Sequence, residues 1–194
     1  MRKLLLALLL TAGCGGSSKG PDIIASPSIQ FVVWGQQDPD AMARDWRTLC
    51  ASGVFDRLAE YGVTGCAVMP PIAAMPDLQP AEFDDVWLAA TLSKQILPID
   101  GVAYVLVLPP GSSTTYERIQ GFSAYHFFIP FIFAVAPPVE RLVSHELYEI
   151  ATNPRADGIT VGGKEIGDLC EGQTDSIAGI DVQKVWSVRS GTCL

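Results

Sequence analysis

The sequence has few basic side chains and very few histidines. Of its 194 residues, 13 are Lys or Arg, 21 are Asp or Glu and only 2 are His, giving a net charge of -8. An acidic chain without a run of basic residues offers no surface for a polyanion, which argues against nucleic-acid binding. The composition is 48% hydrophobic and 18% charged, which is typical of a soluble globular domain.

Several common catalytic and cofactor-binding motifs are also missing. No serine lies in a G-x-S-x-G elbow, and Gly162–Lys164 matches neither a P-loop nor a dinucleotide fingerprint. Asp157, Asp175 and Asp181 do not have the spacing of an EF-hand loop and are interpreted as solvated turns. These absences argue against a serine hydrolase, a nucleotide-binding protein and an EF-hand protein. We also find no internal repeat and no second domain.

The 5 cysteines include no CxxC pair, which argues against a four-cysteine zinc site. Cys14 belongs to the N-terminal segment described below. The remaining cysteines are even in number, as expected for disulfides in an exported protein. Three pairings are possible for these cysteines. Proximity in the sequence favours Cys50 with Cys66 and Cys170 with Cys193.

Long apolar runs are absent, and the N-terminal one is short. Met1–Lys3 is charged and Leu4–Leu10 is apolar, which is typical of an export signal, because a membrane span needs about 20 residues. The following Thr11–Cys14 completes a lipobox-like sequence, so we expect cleavage before Cys14 and lipidation of its thiol. Ordinary secretion, with Cys14 a free thiol, is the alternative.

We therefore expect an exported bacterial lipoprotein, held at the outer membrane, in the periplasm or at the cell surface by its lipid anchor. The Gly- and Ser-rich segment after the lipobox is typical of a flexible tether. The predicted organisation is a signal peptide with lipobox cysteine at residues 1–14, a tether at 15–27 and one globular domain at 28–194.

Hydrophobic patterns predict a single α/β domain of the α+β type with a mixed central sheet. The expected strands are Ser28–Gly35, Cys66–Met69, Val102–Leu108, one or two within Phe122–Ala136 with a bulge or edge at Pro130, Ile159–Val161 and one within Ile177–Val185. The expected helices are Pro39–Tyr61 with a break near Ser52-Gly53, Gln79–Leu97, and one between Pro137-Pro138 and Asn153-Pro154. Val102–Leu108 is almost entirely apolar, as in a strand buried on both faces.

The third of these helices carries an HExxE sequence. His145 and Glu149 are four residues apart, so both lie on one face of the helix and can reach a single metal ion. Glu146 can then serve as a general base for a metal-activated water. These residues predict a zinc-dependent hydrolase. The alternative is a helix histidine with two surface glutamates, since HExxE occurs by chance more often than HExxH.

A helical wheel gives this helix a core-facing stripe of Val139, Leu142, Val143, Leu147 and Ile150. The side of the helix roughly opposite this stripe carries Glu140, Arg141, Ser144 and Tyr148, which we expect to face solvent. The three residues of the motif flank the apolar stripe, where a carboxylate is costly unless a metal, a charge or hydrogen bonds satisfy it. The wheel therefore favours the metal-site interpretation.

A catalytic zinc ion needs about three protein ligands. The candidates for the third ligand are Asp168, His126 and Glu165, of which we favour Asp168. A disulfide at the neighbouring Cys170 could brace Asp168. His126 could instead stabilise an oxyanion from the facing strand, or be a hydrogen-bonded core histidine.

The chain resembles the bacterial and fungal relatives of the EXORDIUM-like, or phosphate-induced protein, family. Ser144–Pro154 reads SHELYEIATNP and Glu165–Cys170 reads EIGDLC, where the family shows patterns like SHELxEAxTDP and EIxDxC. Looser similarities lie at Val33–Gly35, Tyr104–Gly111, Ala124–His126, Gln183–Ser187 and Cys193. The chain departs from the family at Asn153, where Asp is usual.

This resemblance implies an extracellular zincin-like domain that binds one zinc ion. It assigns His145, Glu149 and Asp168 to the metal and Glu146 to the base. The first hypothesis is thus a lipid-anchored zinc metallopeptidase acting on a peptide or protein substrate. The second is a non-catalytic cell-surface or cell-wall binding module on the same scaffold, with a structural or vestigial metal site.

Overall fold

The structure is a computed structural model that describes residues 21–35, 37–74, 82–121, 123–128 and 131–194. The predicted signal peptide with Cys14, the first part of the predicted tether, the expected helix start at Gln79–Ala81 and Pro130 lie outside these residues. Within the described ranges, every helix is too short or too polar to cross a membrane.

The strands and helices alternate along much of the chain. The strands are β1 (Ser28–Trp34), β2 (Ala67–Val68), β3 (Ile72–Ala74), β4 (Glu82–Phe83), β5 (Val102–Val107), β6 (Ser113–Thr114), β7 (Tyr125–Phe127), β8 (Phe133–Ala136), β9 (Thr174–Ile177), β10 (Ile180–Gln183), β11 (Trp186–Ser187) and β12 (Thr192–Cys193). The helices are α1 (Pro39–Ala51), α2 (Asp85–Gln95), α3 (Thr115–Gln120) and α4 (Glu140–Thr152), with 3-10 helices at Asp56–Tyr61 and Asp168–Cys170.

In the described part of the chain, the main sheet has six strands in the order β2-β1-β5-β8-β7, with β3 also paired to β1. Strands β1, β2, β3, β5 and β8 run parallel to one another, whereas β7 is antiparallel to β8. Small two-stranded pairs form between β9 and β10, β11 and β12, and β4 and β6. The predicted mixed sheet and α+β class are confirmed.

Strand β5 lies inside the sheet and is buried along its whole length, as predicted. Alternate side chains of a strand point to opposite faces, so β5 contributes to two apolar cores. One core also receives Val143 and Leu147 of α4, and the other receives Leu88 and Leu92 of α2. Helices therefore cover both faces of the sheet, and α4 lies on one of them.

Helix α4 ends before Pro154, as the sequence predicts, but one side of it was assigned wrongly. Ser144 and Tyr148 were expected to face solvent and are both fully buried. The β9–β10 hairpin packs on this side of the helix, where the backbone N–H of Gln183 donates to Ser144 Oγ at 2.8 Å. The ring of Tyr148 packs edge-on against Phe55, with centroids 5.6 Å apart.

The predicted break in the first helical segment is confirmed. Helix α1 ends at Ala51, and Gly53 has a φ of 74°, in the left-handed region that glycine adopts most readily. Within the described part of the helix predicted at Gln79–Leu97, Glu82 and Phe83 form β4 and the helix begins at Asp85. The Asp84 side chain caps it by accepting a hydrogen bond from the backbone N–H of Trp87 at 2.8 Å.

In the loops, one prediction is wrong and one helix is not predicted by the sequence. The strand expected at Ile159–Val161 is wrong, because Val161 forms only an isolated bridge with Lys164. Helix α3 was not expected from the sequence. It begins with a reciprocal capping box between Thr114 and Glu117, a local signal that the apolar pattern does not reveal.

Both predicted disulfide pairings are confirmed. Cys50 is bonded to Cys66 and Cys170 to Cys193, with Cα atoms 5.4 and 5.8 Å apart. The first bond joins the end of α1 to the segment before β2. The second ties the 3-10 helix after Gly167 to the C-terminal strand β12.

The described residues before β1 are bound to the domain. The backbone N–H of Ile24 donates to the carbonyl of Ala151 at 2.8 Å. Arg155 forms an ion pair with Asp22 at 2.8 Å. Contacts of the domain therefore begin ahead of Ser28, at the C-terminal end of α4.

Candidate metal centre

A cavity of about 230 Å³ lies between α4, β7 and the loop that follows α4. It is lined by Tyr116, Ala124, Tyr125, His126, His145, Glu146, Glu149, Glu165 and Asp168. All three motif residues and all three candidates for the third ligand are in this list. The structure thus brings together every site residue that the sequence singled out.

Helix α4 supplies the first three side chains. Its helical spacing places His145 and Glu149 on one face, with His145 Nε2 3.4 Å from Glu149 Oε1. Glu146 and Glu149 are each only 3% exposed. Two carboxylates this buried require positive charge or hydrogen-bond donors beside them.

The edge strand β7 supplies His126. In the antiparallel register His126 lies opposite Ala134, which belongs to the core on the α4 side of the sheet. Residues opposite one another share a face, so His126 points toward α4. Its Nδ1 lies 3.0 Å from Glu146 Oε2 and 3.7 Å from Glu149 Oε2.

The loop after α4 brings Asp168 to the other side of the cavity. The Asp168 backbone N–H donates to Glu149 Oε1 at 3.2 Å, and its Oδ1 lies 3.8 Å from His145 Nε2. This approach depends on Gly167, where an added Cβ would lie 2.7 Å from Glu149 Oε1. The adjoining Cys170–Cys193 disulfide holds the segment in place, as the sequence led us to expect.

Glu165 completes the cluster beside His126. Its Oε1 lies 3.7 Å from His126 Nε2 and accepts a hydrogen bond from Asn153 Nδ2 at 2.7 Å. The Asn153 side chain also accepts from the backbone N–H of Gly158 at 2.6 Å. Asn153, the residue at which α4 ends, therefore fixes both the loop and the Glu165 carboxylate.

Gln183 of β10 is a site residue that the sequence did not reveal. Its Nε2 lies 2.7 Å from His145 Nδ1 and donates to the carbonyl of Gly167 at 3.0 Å. The side chain is buried behind the histidine, outside this cavity and at the edge of a second one. A lone glutamine at the end of a short strand gives no signal, because only the packing of the hairpin against α4 shows its role.

The cluster contains more negative than positive charge, and its pKa values reflect this. Burial alone would lower the pKa of His126, but the hydrogen bond and charge of Glu146, with Glu149, outweigh burial and raise it to about 9. The same balance, with Glu149 as the main partner, raises the pKa of His145 to about 10. Burial raises the pKa of Glu149 to about 7, although His145 opposes the shift. A bound cation would relieve this excess of negative charge.

In the part of the chain that the structure describes, two groups of three side chains have donor atoms close enough to hold a metal ion. One is His126, Glu146 and Glu149, and the other is His145, Glu149 and Asp168; within each, the donor atoms lie within 4.8 Å of one another. Imidazole nitrogen and carboxylate oxygen are ligands that zinc accepts, and the open cavity leaves space for water. The residues present therefore fit a catalytic metal ion.

Comparisons of the chain with protein-family models, with curated proteins and with solved structures return no match. The resemblance to the EXORDIUM-like family and the zincin-like assignment therefore stay predictions from the sequence motifs.

Proposed function

We propose that the protein is a zinc-dependent hydrolase that cleaves peptide bonds. The observation that carries the proposal is the convergence of both histidines of the chain and four carboxylates on one open cavity. His145, Glu149 and Asp168 would hold the zinc ion. A bound zinc ion supplies a Lewis acid, which polarises a carbonyl and makes water more acidic.

Glu146 is the base in this proposal. Its Oε1 lies 3.9 Å from His145 Nε2, on the metal-facing side of the cavity. From there it can take the proton of the attacking water and return it to the leaving amine. Its burial keeps bulk water away from the carboxylate, and the contact with His126 fixes its orientation.

His126 has a second part in the proposed reaction. Its ring lies on the cavity wall, with Nδ1 3.0 Å from Glu146 Oε2. An imidazolium on the cavity wall can stabilise the negative charge that develops on the carbonyl oxygen. The His126 ring thus orients Glu146 and stabilises the transition state, whereas His145 would bind the metal.

The shape of the surface supports an extended substrate. A second cavity of about 220 Å³ shares Ala124, His145, Glu146 and Asp168 with the first, and reaches Arg141. The catalytic residues therefore lie between two hollows rather than at the bottom of one. A peptide chain can cross both with its scissile bond over Glu146.

The test compares zinc content and hydrolysis of a fluorogenic peptide library across four proteins. These are the wild type, Glu146→Gln, His145→Gln and Glu171→Gln. Glu146→Gln should lower kcat/KM by about 10²–10⁴-fold while keeping the ion held by His145. His145→Gln should lose that ion and the activity with it.

Glu171→Gln is the matched control, because Glu171 is an exposed acid beside the second cavity and outside the cluster. It should bind as much zinc as the wild type and keep the same kcat, because a change at the edge of the second cavity can affect only KM. A wild type without zinc would refute the proposal. Zinc binding without hydrolysis would instead favour the non-catalytic binding module with a structural metal.

A further inference from the structure

The two glutamates of α4 lie between the two histidines, and each divides its oxygens between them. Glu149 turns Oε1 toward His145 Nε2 at 3.4 Å and Oε2 toward His126 Nδ1 at 3.7 Å. Glu146 turns Oε1 toward His145 Nε2 at 3.9 Å and Oε2 toward His126 Nδ1 at 3.0 Å. A carboxylate whose two oxygens face separate nitrogen donors has the arrangement needed to bridge two cations.

The two donor groups described above share one residue. Glu149 belongs to both, while His126 and Glu146 complete one group and His145 and Asp168 the other. Each group contains its own imidazole, so the two groups do not have to share a nitrogen ligand. The shared glutamate then sets the separation of the two positions.

We infer that the cavity binds two divalent cations, one at His145, Glu149 and Asp168 and a second at His126, Glu146 and Glu149, with Glu149 bridging them. This inference rests on the metal site of the proposed function and extends it from one ion to two. The second ion would then take the place of the proton on His126 and supply the positive charge that the imidazolium supplies in the one-zinc form. Paired ions about 3.5–4 Å apart occur in aminopeptidases, phosphatases and nucleases. The second ion would be Zn²⁺ or Mn²⁺, because both accept mixed imidazole and carboxylate donors.

The surroundings of His126 allow this histidine to bind a metal ion through its Nδ1 atom. Its other nitrogen, Nε2, faces Glu165 Oε1 at 3.7 Å, and Glu165 is itself held by Asn153. A carboxylate behind a histidine favours a proton on the far nitrogen and leaves the near nitrogen free for a metal. Without a second ion, a proton on His126 takes its place and pairs with Glu146.

The second ion leaves Glu146 a function in proton transfer. Only Oε2 of Glu146 faces His126, so Oε1 stays directed toward the His145 position. One oxygen can act as a ligand while the other accepts a proton.

The experiment measures metal stoichiometry without any substrate. The full chain is stripped with a chelator, re-equilibrated with Zn²⁺ and analysed by elemental mass spectrometry per folded chain. We expect two ions in the wild type and in Glu171→Gln, and one each in His126→Gln and His145→Gln. Circular dichroism establishes which variants are folded.

A second measurement does not depend on the variants. The wild type loaded with Mn²⁺ should give the electron paramagnetic resonance spectrum of an exchange-coupled pair, distinct from that of isolated Mn²⁺. One Zn²⁺ per wild-type chain with an uncoupled Mn²⁺ spectrum overturns the two-ion inference and leaves the one-zinc hydrolase standing. No bound metal at all overturns both.

Discussion

At the scale of single residues, Gln183 determines which nitrogen of His145 is available. The Gly167 carbonyl can only accept, so the amide nitrogen of Gln183 faces it and also faces His145 Nδ1. In this arrangement Nδ1 of a neutral His145 ring is an acceptor, and the single proton of that ring lies on Nε2. A metal at Nε2, or a fully protonated ring, needs Gln183 to turn its amide oxygen toward Nδ1.

Replacing Gln183 with Leu should weaken zinc binding, because nothing would then accept the Nδ1 proton of a metal-bound His145. Loss of such a partner typically lowers metal affinity by about 10–100-fold. The Kd for zinc, measured by competition with a chromophoric chelator, checks this outcome. Gln173→Leu, an exposed position at the start of the same hairpin, is the control. Equal affinities for the two variants would contradict the role of Gln183.

At the scale of elements, the two disulfides close loops of similar length but lie beside different parts of the structure. Cys50–Cys66 spans 16 residues far from the cluster in sequence, and Cys170–Cys193 spans 23 and adjoins the 3-10 helix of Asp168. Loops of this size give comparable constraints on the unfolded chain. Only the second bond also restrains a proposed metal ligand, Asp168.

We expect the double variant Cys170→Ser/Cys193→Ser to lose about 2–4 kcal/mol of unfolding free energy. It should also bind zinc about tenfold or more weakly, because Asp168 is no longer held beside Glu149. Urea denaturation and the same chelator competition give the two quantities. Cys50→Ser/Cys66→Ser is the matched variant, with a similar stability loss and unchanged zinc affinity. If both variants lost affinity equally, bracing of Asp168 by its disulfide would be ruled out.

The elements that the sequence predicted best are those with a strong local signal. The apolar run of β5 and the proline-bounded helix α4 are such cases, and Cys170–Cys193 followed from simple proximity. The burial of Ser144 and Tyr148 could not be predicted, because it depends on a hairpin that pairs with the helix through tertiary contacts. His126 could be named from its chemistry, but its approach to Glu146 required the register of β7.

At the scale of the whole molecule, the cluster adds buried acids to a chain whose net charge is already -8. Without a metal, protons on His126, His145 and Glu149 compensate part of that charge, as their raised pKa values show. The folded state therefore binds these protons more tightly than the unfolded state. A metal ion and protons would therefore compete for the same nitrogen and oxygen atoms of these side chains.

This competition predicts how stability depends on pH. All three folded pKa values, about 9, 10 and 7, lie above the ordinary values of 6.5 for histidine and 4.5 for glutamate. Stability from these protons is complete below each ordinary pKa and is lost as pH rises through the folded pKa. The Tm of metal-stripped protein should therefore fall between about pH 5 and 10. The Tm gain on adding zinc should grow across the same range.

The control for this pH dependence is the triple variant His126→Gln/His145→Gln/Glu149→Gln in its metal-free form. Without the three groups whose pKa values are raised, its Tm should depend much less on pH between about 5 and 10. Differential scanning calorimetry at matched ionic strength measures both proteins. A wild-type Tm that is constant or rises over that interval would contradict the proposed linkage.

The lipid anchor that we propose at Cys14 is tested in cells. The wild type should incorporate a labelled fatty acid and sediment with membranes, because several acyl chains hold a protein firmly to a bilayer. Cys14→Ser should remove the label and release the protein, whereas Ser18→Ala, in the predicted tether, should change neither. An unlabelled, soluble wild type would refute the anchor.

The contacts of the residues ahead of β1 also determine how the domain would respond to tension. A pull on Pro21 reaches the Asp22–Arg155 ion pair first and the Ile24–Ala151 hydrogen bond next, before it reaches the sheet at Ser28. Ala151 lies two residues beyond Glu149 on α4. Mechanical load applied at Pro21 is therefore transmitted to α4, the helix of the candidate metal centre, before it is shared by the strands.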